Sequence, residues 1–326
     1  MLYKLSKGVN KLANKKDINE NINEPDKVFR KVVLSWYPGH MAKTMKQIEA
    51  DLRIVDIVIE LLDARIPIAS QNPEIANKIK NKKKLVVLNK ADLADEKTNQ
   101  KWVNYFENQG IPAVLVDSNS GKGIDKFIKK IEEVMQEMLE GQASKGRIGR
   151  KIRAMILGIP NVGKSSFINR ISKRTTAEVG NKPGVTKQKQ WIRINEKIEL
   201  LDTPGVLWPK FESEDVALKL AFTGTIKETV LQKTEIAYQL VKFLLENYRE
   251  RLAQRYGLNL EYIQTTLEQE QPENFNIYEI MLEIGKKRGC IISGGNIDEE
   301  KTAKIILDEY KNGKFGKVSL EQPDKL

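Results

Sequence analysis

Short apolar runs alternate with amphipathic stretches along the first two thirds of the chain. Residues 42–52 set Met45, Ile48 and Leu52 on one face, which predicts a helix. The run over 54–62 predicts a buried strand, closed by the polar loop Asp63-Ala64-Arg65-Ile66-Pro67. A helix over 73–81 leads to a strand over 85–88. A helix over 96–109, with Trp102, Tyr105 and Phe106 supplying apolar surface, leads to a strand over 113–116. A strongly amphipathic helix over 124–139 follows, then a small, polar, basic stretch at 141–151 that reads as a linker. Residues 152–157 form the next strand pattern, and 166–171 start a helix. Residues 172–190 carry no apolar period and read as a long loop, which in a compact domain is usually functional. Residues 191–194 and 197–201 pair as a hairpin through Asn195-Glu196. Six strands alternating with helices predict a three-layer α/β sheet. After residue 211 the strand signal fades, and helices are expected over 215–220, 233–256, 278–288 and 298–311. The reading is therefore an arm at 1–31, an α/β domain at 32–211 and a smaller all-α domain at 212–326.

The chemistry lies where these strands end. Gly158 to Ser166 reads GIPNVGKSS, the G-x-x-x-x-G-K-[ST] phosphate-loop pattern, and it sits between a strand and a helix as that pattern requires. Backbone N–H groups and the positive end of the helix dipole converge on one spot and hold a polyphosphate there. Asn161, Val162, Gly163, Lys164, Ser165 and Ser166 are the expected contacts. Lys164 is expected to reach the β- and γ-phosphates, and the Ser165 hydroxyl to ligate Mg²⁺. Asn89-Lys90-Ala91-Asp92 ends a strand as the N-K-x-D element that reads guanine. The Asp92 carboxylate can accept both N1–H and N2–H₂ of that base, while Asn89 and Lys90 pack around the ring. Asp202-Thr203-Pro204-Gly205 is a D-x-P-G element, with Asp202 in the Mg²⁺ shell and the Gly205 N–H at the γ-phosphate. Thr186, in the long loop, is placed to ligate Mg²⁺, and Ser118-Asn119 to sit beside the base. Together these predict a site for GTP and GDP.

Composition narrows the setting. The 326 residues contain one cysteine, Cys290, which excludes a disulfide framework and a cysteine zinc cluster. No apolar run is long enough to span a bilayer, and the first thirty residues lack the core of a signal peptide, so a cytoplasmic protein is expected. Net charge is +11, unevenly spread: residues 1–212 hold 39 basic and 25 acidic side chains, residues 213–326 hold 16 and 19. Binding one nucleotide does not need such an excess, whereas an RNA partner would use it. No DNA or membrane partner is expected.

The motif order is unusual. N-K-x-D precedes the phosphate loop, the reverse of a standard GTPase. A circular permutation preserves the same sheet if the 141–151 linker joins the original ends. The switch segment after Asp202 then leads straight into the helical domain, so nucleotide state should bias that domain. This order, with the leading Trp36-Tyr37-Pro38-Gly39-His40-Met41, the Asp63–Pro67 loop and the tail Gly313-Lys314-Phe315-Gly316-Lys317-Val318-Ser319-Leu320-Glu321, resembles the circularly permuted GTPases of ribosome assembly over about residues 34–320. Within that group the likeness is to the branch that assists the large subunit. The resemblance implies a large-subunit precursor and its rRNA as partners and a K⁺-assisted hydrolysis of GTP, with Asn161 in the place of the K⁺ ligand. The 1–31 arm exceeds the usual family pattern, and Asn119 stands where a small apolar residue is commoner.

Val206 follows D-x-P-G where many GTPases carry a water-orienting glutamine. His40, the only histidine, matches the family's proposed catalytic histidine and is expected on the turn ahead of the first helix. Asp63 and Arg65 either pair with each other or line the switch region. A membrane- or trafficking-associated GTPase is the alternative reading, but no lipidation signal or anchor helix supports it. A small-subunit assembly GTPase of the permuted class would carry an extra β-barrel or zinc module, for which the chain has no room. The intact Lys164, Ser165 and Asp202 speak against a vestigial site.

Overall fold

The computed structural model describes residues 39–147, 149–179, 191–208, 211, 213–226, 233–269 and 273–325. Helix α1 (Gly39–Leu52) buries Met45, Ile48 and Leu52. It is followed by β1 (Ile57–Asp63), α2 (Pro73–Lys78), β2 (Lys83–Asn89), α3 (Glu96–Asn108), β3 (Ala113–Leu115), α4 (Ile124–Ala143), β4 (Ile152–Leu157) and α5 (Lys164–Val179). The hairpin β5 (Trp191–Arg193) and β6 (Ile198–Leu201) closes the α/β part. The Asn195 carboxamide oxygen accepts from the Lys197 and Ile198 amides and so sets the hairpin turn.

The six strands lie in the order β3-β2-β1-β4-β6-β5, parallel except for the β5–β6 pair. Successive strand residues face opposite layers. On β2, Val86 and Leu88 meet Trp102, Val103 and Phe106 of α3. Leu85 and Val87 join the larger core with Phe127 and Ile131 of α4 and Phe167 of α5. The Phe127 and Phe167 rings pack edge to face, 5.0 Å between centroids.

Several edges differ from the sequence reading. The run over 54–62 turns before it extends: Ile54 is exposed and the strand starts at Ile57, where pairing with Lys83 and Ala154 begins. Helix α4 continues through 141–143, so the join to β4 is shorter than the expected linker. Helix α5 runs through 172–179, expected as loop; Thr175 and Thr176 are weak helix formers, but backbone hydrogen bonding carries on. Residues 180–190, with Thr186, and the 1–31 arm lie outside the described residues. Helix α1 starts at Gly39, so His40 sits in its first turn rather than on a turn ahead of it.

The C-terminal part holds α6 (Glu214–Phe222), α7 (Lys233–Asn247), α8 (Arg249–Tyr256), α9 (Leu260–Leu267), α10 (Glu273–Lys287) and α11 (Glu299–Lys311). The single helix expected over 233–256 is broken at Tyr248, whose backbone leaves the helical region and whose hydroxyl donates to the Ser319 carbonyl at 3.0 Å. Helix α9, capped by the Asn259 side chain, was not anticipated. One continuous apolar cluster runs from the sheet through Leu220, Leu240, Ile280 and Leu307.

The tail then returns to the sheet. Val318 donates its amide to the Leu93 carbonyl and Leu320 donates to the Arg65 carbonyl, both at 2.9 Å. The Glu321 carboxylate accepts from the Ile68 and Ala69 amides at 2.7 and 3.1 Å, and the Trp102 indole donates to the Glu321 carbonyl. Burial pushes the Glu321 carboxyl above its ordinary range, opposed by Lys219 and those two amides.

Candidate functional site

The loops after β4, β2, β3 and β6 meet at the C-terminal ends of the parallel strands, where open α/β sheets bind ligands. The phosphate loop leaves β4 and enters α5 at Lys164. Two glycines allow close approach here. Gly163 has φ +98°, and a Cβ there would lie 2.4 Å from the Asn89 side-chain nitrogen. A Cβ on Gly205 would lie 3.0 Å from the Pro160 backbone, so D-x-P-G abuts the phosphate loop closely. The Val206 amide donates to the Gly158 carbonyl at 3.4 Å, and the Thr203 hydroxyl to the Ile156 carbonyl at 2.5 Å.

Asn89 ties three loops together. Its Nδ2 donates to the Val162 carbonyl at 2.9 Å, and its Oδ1 accepts from the Ser118 hydroxyl at 2.6 Å and the Ser118 amide at 3.3 Å. Lys90, at φ +58°, donates from Nζ to the Asn161 carbonyl at 2.7 Å and to Asp63 Oδ2 at 3.0 Å. Asp92 presents its carboxylate to solvent beside these groups; local desolvation and nearby Asp117 push its pKa up. Ser118 is buried and Asn119 exposed, the Asn119 amide donating to Asp117 at 2.8 Å. Arg170 of α5 donates to the Ser118 carbonyl at 3.1 Å.

Burial lowers Lys164 to about 8, and Asp202 opposes the shift. Burial likewise raises Asp202, opposed by Lys164. Burial thus weighs against the charge on both groups, as expected where a phosphate and a metal ion would complete the balance. Ser165, Ser166 and Asp202 are exposed at the mouth, and Val162 is buried under the loop. Asn161 takes a left-handed backbone, φ +59°, and its Nδ2 donates to the Gly224 carbonyl after α6 at 2.6 Å.

Val206 is fully buried and faces the core, so no side chain at that position points toward a reacting water. Its carbonyl accepts from Asn72 at 3.0 Å. Asp63 and Arg65 do pair, in a buried fork: Nε to Oδ1 at 2.9 Å and Nη2 to Oδ2 at 2.8 Å. One contributor was invisible in the motifs: Asn72, which links α2 to the switch segment; the tail residues Val318 and Leu320 stood in the family-like tail, but their contacts with Leu93 and Arg65 did not show there. Asn72 announces itself only as the cap before Pro73. The Thr186 and His40 side chains lie outside what is described.

The sheet order with the phosphate loop on its fourth strand, the N-K-x-D element on its second and D-x-P-G on its sixth define a circularly permuted P-loop GTPase. The 50S ribosome-binding GTPase family matches residues 153–276, beginning at the phosphate-loop strand and leaving out Asn89–Asp92, as permutation requires. The chain is 44% identical to ribosome biogenesis GTPase A of Bacillus licheniformis over 90% of its length and all of the relative's. It is 33% identical to mitochondrial ribosome-associated GTPase 1 of Bos taurus, covering 89% of each. The GDP-bound structure of Thermotoga maritima YlqF superposes with TM-score 0.60 at 29% identity, covering 85% of this chain and 99% of that one. The chain belongs to the ribosome biogenesis GTPase A family and is a GTPase.

Proposed function

We propose that this GTPase is an assembly factor for the large ribosomal subunit, switched by guanine nucleotide on precursor particles through contacts with their rRNA. The observation that carries the reading is continuity: the D-x-P-G segment leaves the phosphate loop and runs into α6, whose following turn already holds Asn161. A change at the γ-phosphate is thereby passed to the helices. The names of the relatives, and the basic excess in residues 1–212, support the ribosomal partner. The proposed compartment is the cytoplasm. Among the described residues no helix is long and apolar enough to cross a membrane.

In the proposed site Asp92 reads the guanine edge, Lys90 packs its stem on the ring, and Ser118 and Asn119 close the far side. Asn89 positions all of these. The amides of Val162, Gly163, Lys164, Ser165 and Ser166 take the phosphates, with the Lys164 ammonium and the Gly205 amide at the γ end. The exposed oxygens of Ser165 and Asp202 suit Mg²⁺, with Thr186 as a further ligand. Mg²⁺ supplies charge neutralisation between the phosphates. The Asn161 carboxamide nitrogen is committed to Gly224, which leaves its oxygen as the proposed K⁺ ligand. With Val206 buried, His40 is the proposed group that orients water, and neutral imidazole can accept a hydrogen bond from it.

The test is sedimentation of full-length protein with large-subunit precursors in the presence of a GTP analogue, GDP or no nucleotide. Co-migration favoured by the analogue and weakened steeply by salt is expected; binding equal in all three states excludes the switch. Lys286, Lys287 and Lys314 are exposed, and replacing them by glutamate should weaken particle binding and leave GTP binding alone. Arg288 is a poor probe, because it pairs with Glu309 and stacks on Tyr256.

A further inference from the structure

Lys90 is held from a direction the nucleotide motifs do not explain. Its left-handed backbone is costly for a residue with a side chain and persists only where the surroundings impose it. One restraint is the Asn161 carbonyl of the phosphate loop. The other is Asp63 Oδ2, 3.0 Å away and itself gripped by the Arg65 fork. Asp63 and Arg65 are 2% and 1% exposed. Against the cost of burial, Arg65 and Lys90 hold the Asp63 carboxyl well below the usual carboxylate range.

What seals this pair comes from the other end of the chain. The Tyr310 ring of α11 lies over the Arg65 guanidinium, 5.3 Å from its centroid, and is 2% exposed. The Leu320 amide donates to the Arg65 carbonyl. The Tyr310 hydroxyl and Arg65 Nη1 are both buried without a hydrogen-bond partner. The hydroxyl is therefore not the reason for a tyrosine here. The ring face is: it covers a buried cation and keeps water from the ion pair beneath.

We propose that Tyr310 and Arg65 are positioning residues for guanine recognition, fixing Lys90 under the base through Asp63 and so coupling the last helix to base occupancy. This rests on the reading of Asn89–Asp92 as the guanine site. It adds a second link between nucleotide and helices, at the base end of the site and separate from the switch after Asp202. Without the ring, water reaches Arg65 and Asp63, their grip on Lys90 loosens, and the base loses its platform. The phosphate loop keeps its Asn89–Val162 tether, so its own grip on phosphates survives.

The experiment measures dissociation of a fluorescent GDP from full-length protein with Mg²⁺, and competition by inorganic tripolyphosphate, which has no base. Tyr310→Leu should release GDP about five- to tenfold faster, with tripolyphosphate inhibition within about twofold of wild type. Tyr310→Phe should match wild type, because it keeps the ring. Tyr310→Met keeps buried apolar volume without a π face and should behave like the leucine variant, which covers the case in which leucine impairs folding. Unchanged GDP release in both, a parallel loss of tripolyphosphate affinity, or a phenylalanine variant as fast as leucine would each overturn the proposal. Asp92→Asn in the same assay separates the two readings. If it turns preference to xanthine while the Tyr310 variants are silent, only this coupling fails. If it leaves base preference unchanged, the guanine site is misassigned and the coupling falls with it.

Discussion

Asn89 and Val162 are 73 residues apart, yet the Asn89 carboxamide donates to the Val162 carbonyl at 2.9 Å while its oxygen accepts from Ser118. One buried side chain thus sets the spacing between the N-K-x-D loop and the phosphate loop. Asn89→Ala leaves the Val162 carbonyl and the Ser118 hydroxyl without this partner, at a cost of about 1–3 kcal/mol. Nucleotide affinity should fall tenfold or more and the melting temperature should drop. Nucleotide titration and thermal unfolding check this; an unchanged affinity would remove Asn89 from the site.

Asp92→Asn replaces an acceptor by a group that also donates. Guanine offers an amino group at C2 and xanthine a carbonyl, so preference should turn from GTP toward xanthosine triphosphate. Competitive titration with both nucleotides reads the switch.

Lys164 gives a pH signature. Its pKa of about 8 lies below the ordinary 10.5, so between these values the folded, nucleotide-free protein binds fewer protons than the unfolded chain. Stability of the empty protein should therefore rise with pH through that window, the burial cost of the ammonium being fully present below it. Nucleotide affinity runs the other way. Phosphate needs the charged lysine, so affinity should fall as pH rises between about 7 and 9, with proton uptake on binding. Calorimetry in buffers of different ionisation enthalpy detects the proton, and Lys164→Met should abolish it.

The phosphate loop, N-K-x-D and D-x-P-G were legible because each is local: a strand end, a few fixed residues and a glycine. The sheet was legible for the same reason, since Leu85–Leu88 and Ala154–Leu157 are apolar on both faces. Strand and helix edges were not, as at Ile54, where pairing rather than composition decides. Helix α9 has eight residues, and a helix so short depends on tertiary packing of Ile263 and Thr266. The Arg65–Tyr310 contact spans most of the chain, and nothing near either residue signals it.

Glu321 is a strap rather than a surface carboxylate. Glu321→Ala leaves the part-buried Ile68 and buried Ala69 amides without acceptors and should cost about 1–3 kcal/mol. Glu321→Gln keeps one acceptor oxygen and should cost less. Chemical denaturation of both variants measures the difference, and equal stabilities would show the tail to be incidental.

His40→Ala should preserve nucleotide and particle binding and lose most of the particle-stimulated rate, on the order of 10²-fold. Single-turnover hydrolysis on particles at saturating GTP reads this directly. A rate within about threefold of wild type would return His40 to a structural part in the first turn of α1.

The strap also sets an order of events during synthesis. The guanine loop leaves the ribosome first and the phosphate loop next, but the residues that brace Arg65 and Leu93 come last, the Glu321–Ile68 contact closing a separation of 253 residues. Loops of that length close late. A nascent chain stopped short of Tyr310 holds every nucleotide motif and lacks the ring over Arg65. On the proposed coupling, firm nucleotide binding therefore waits until the C-terminal helices have been made and have folded back onto the sheet.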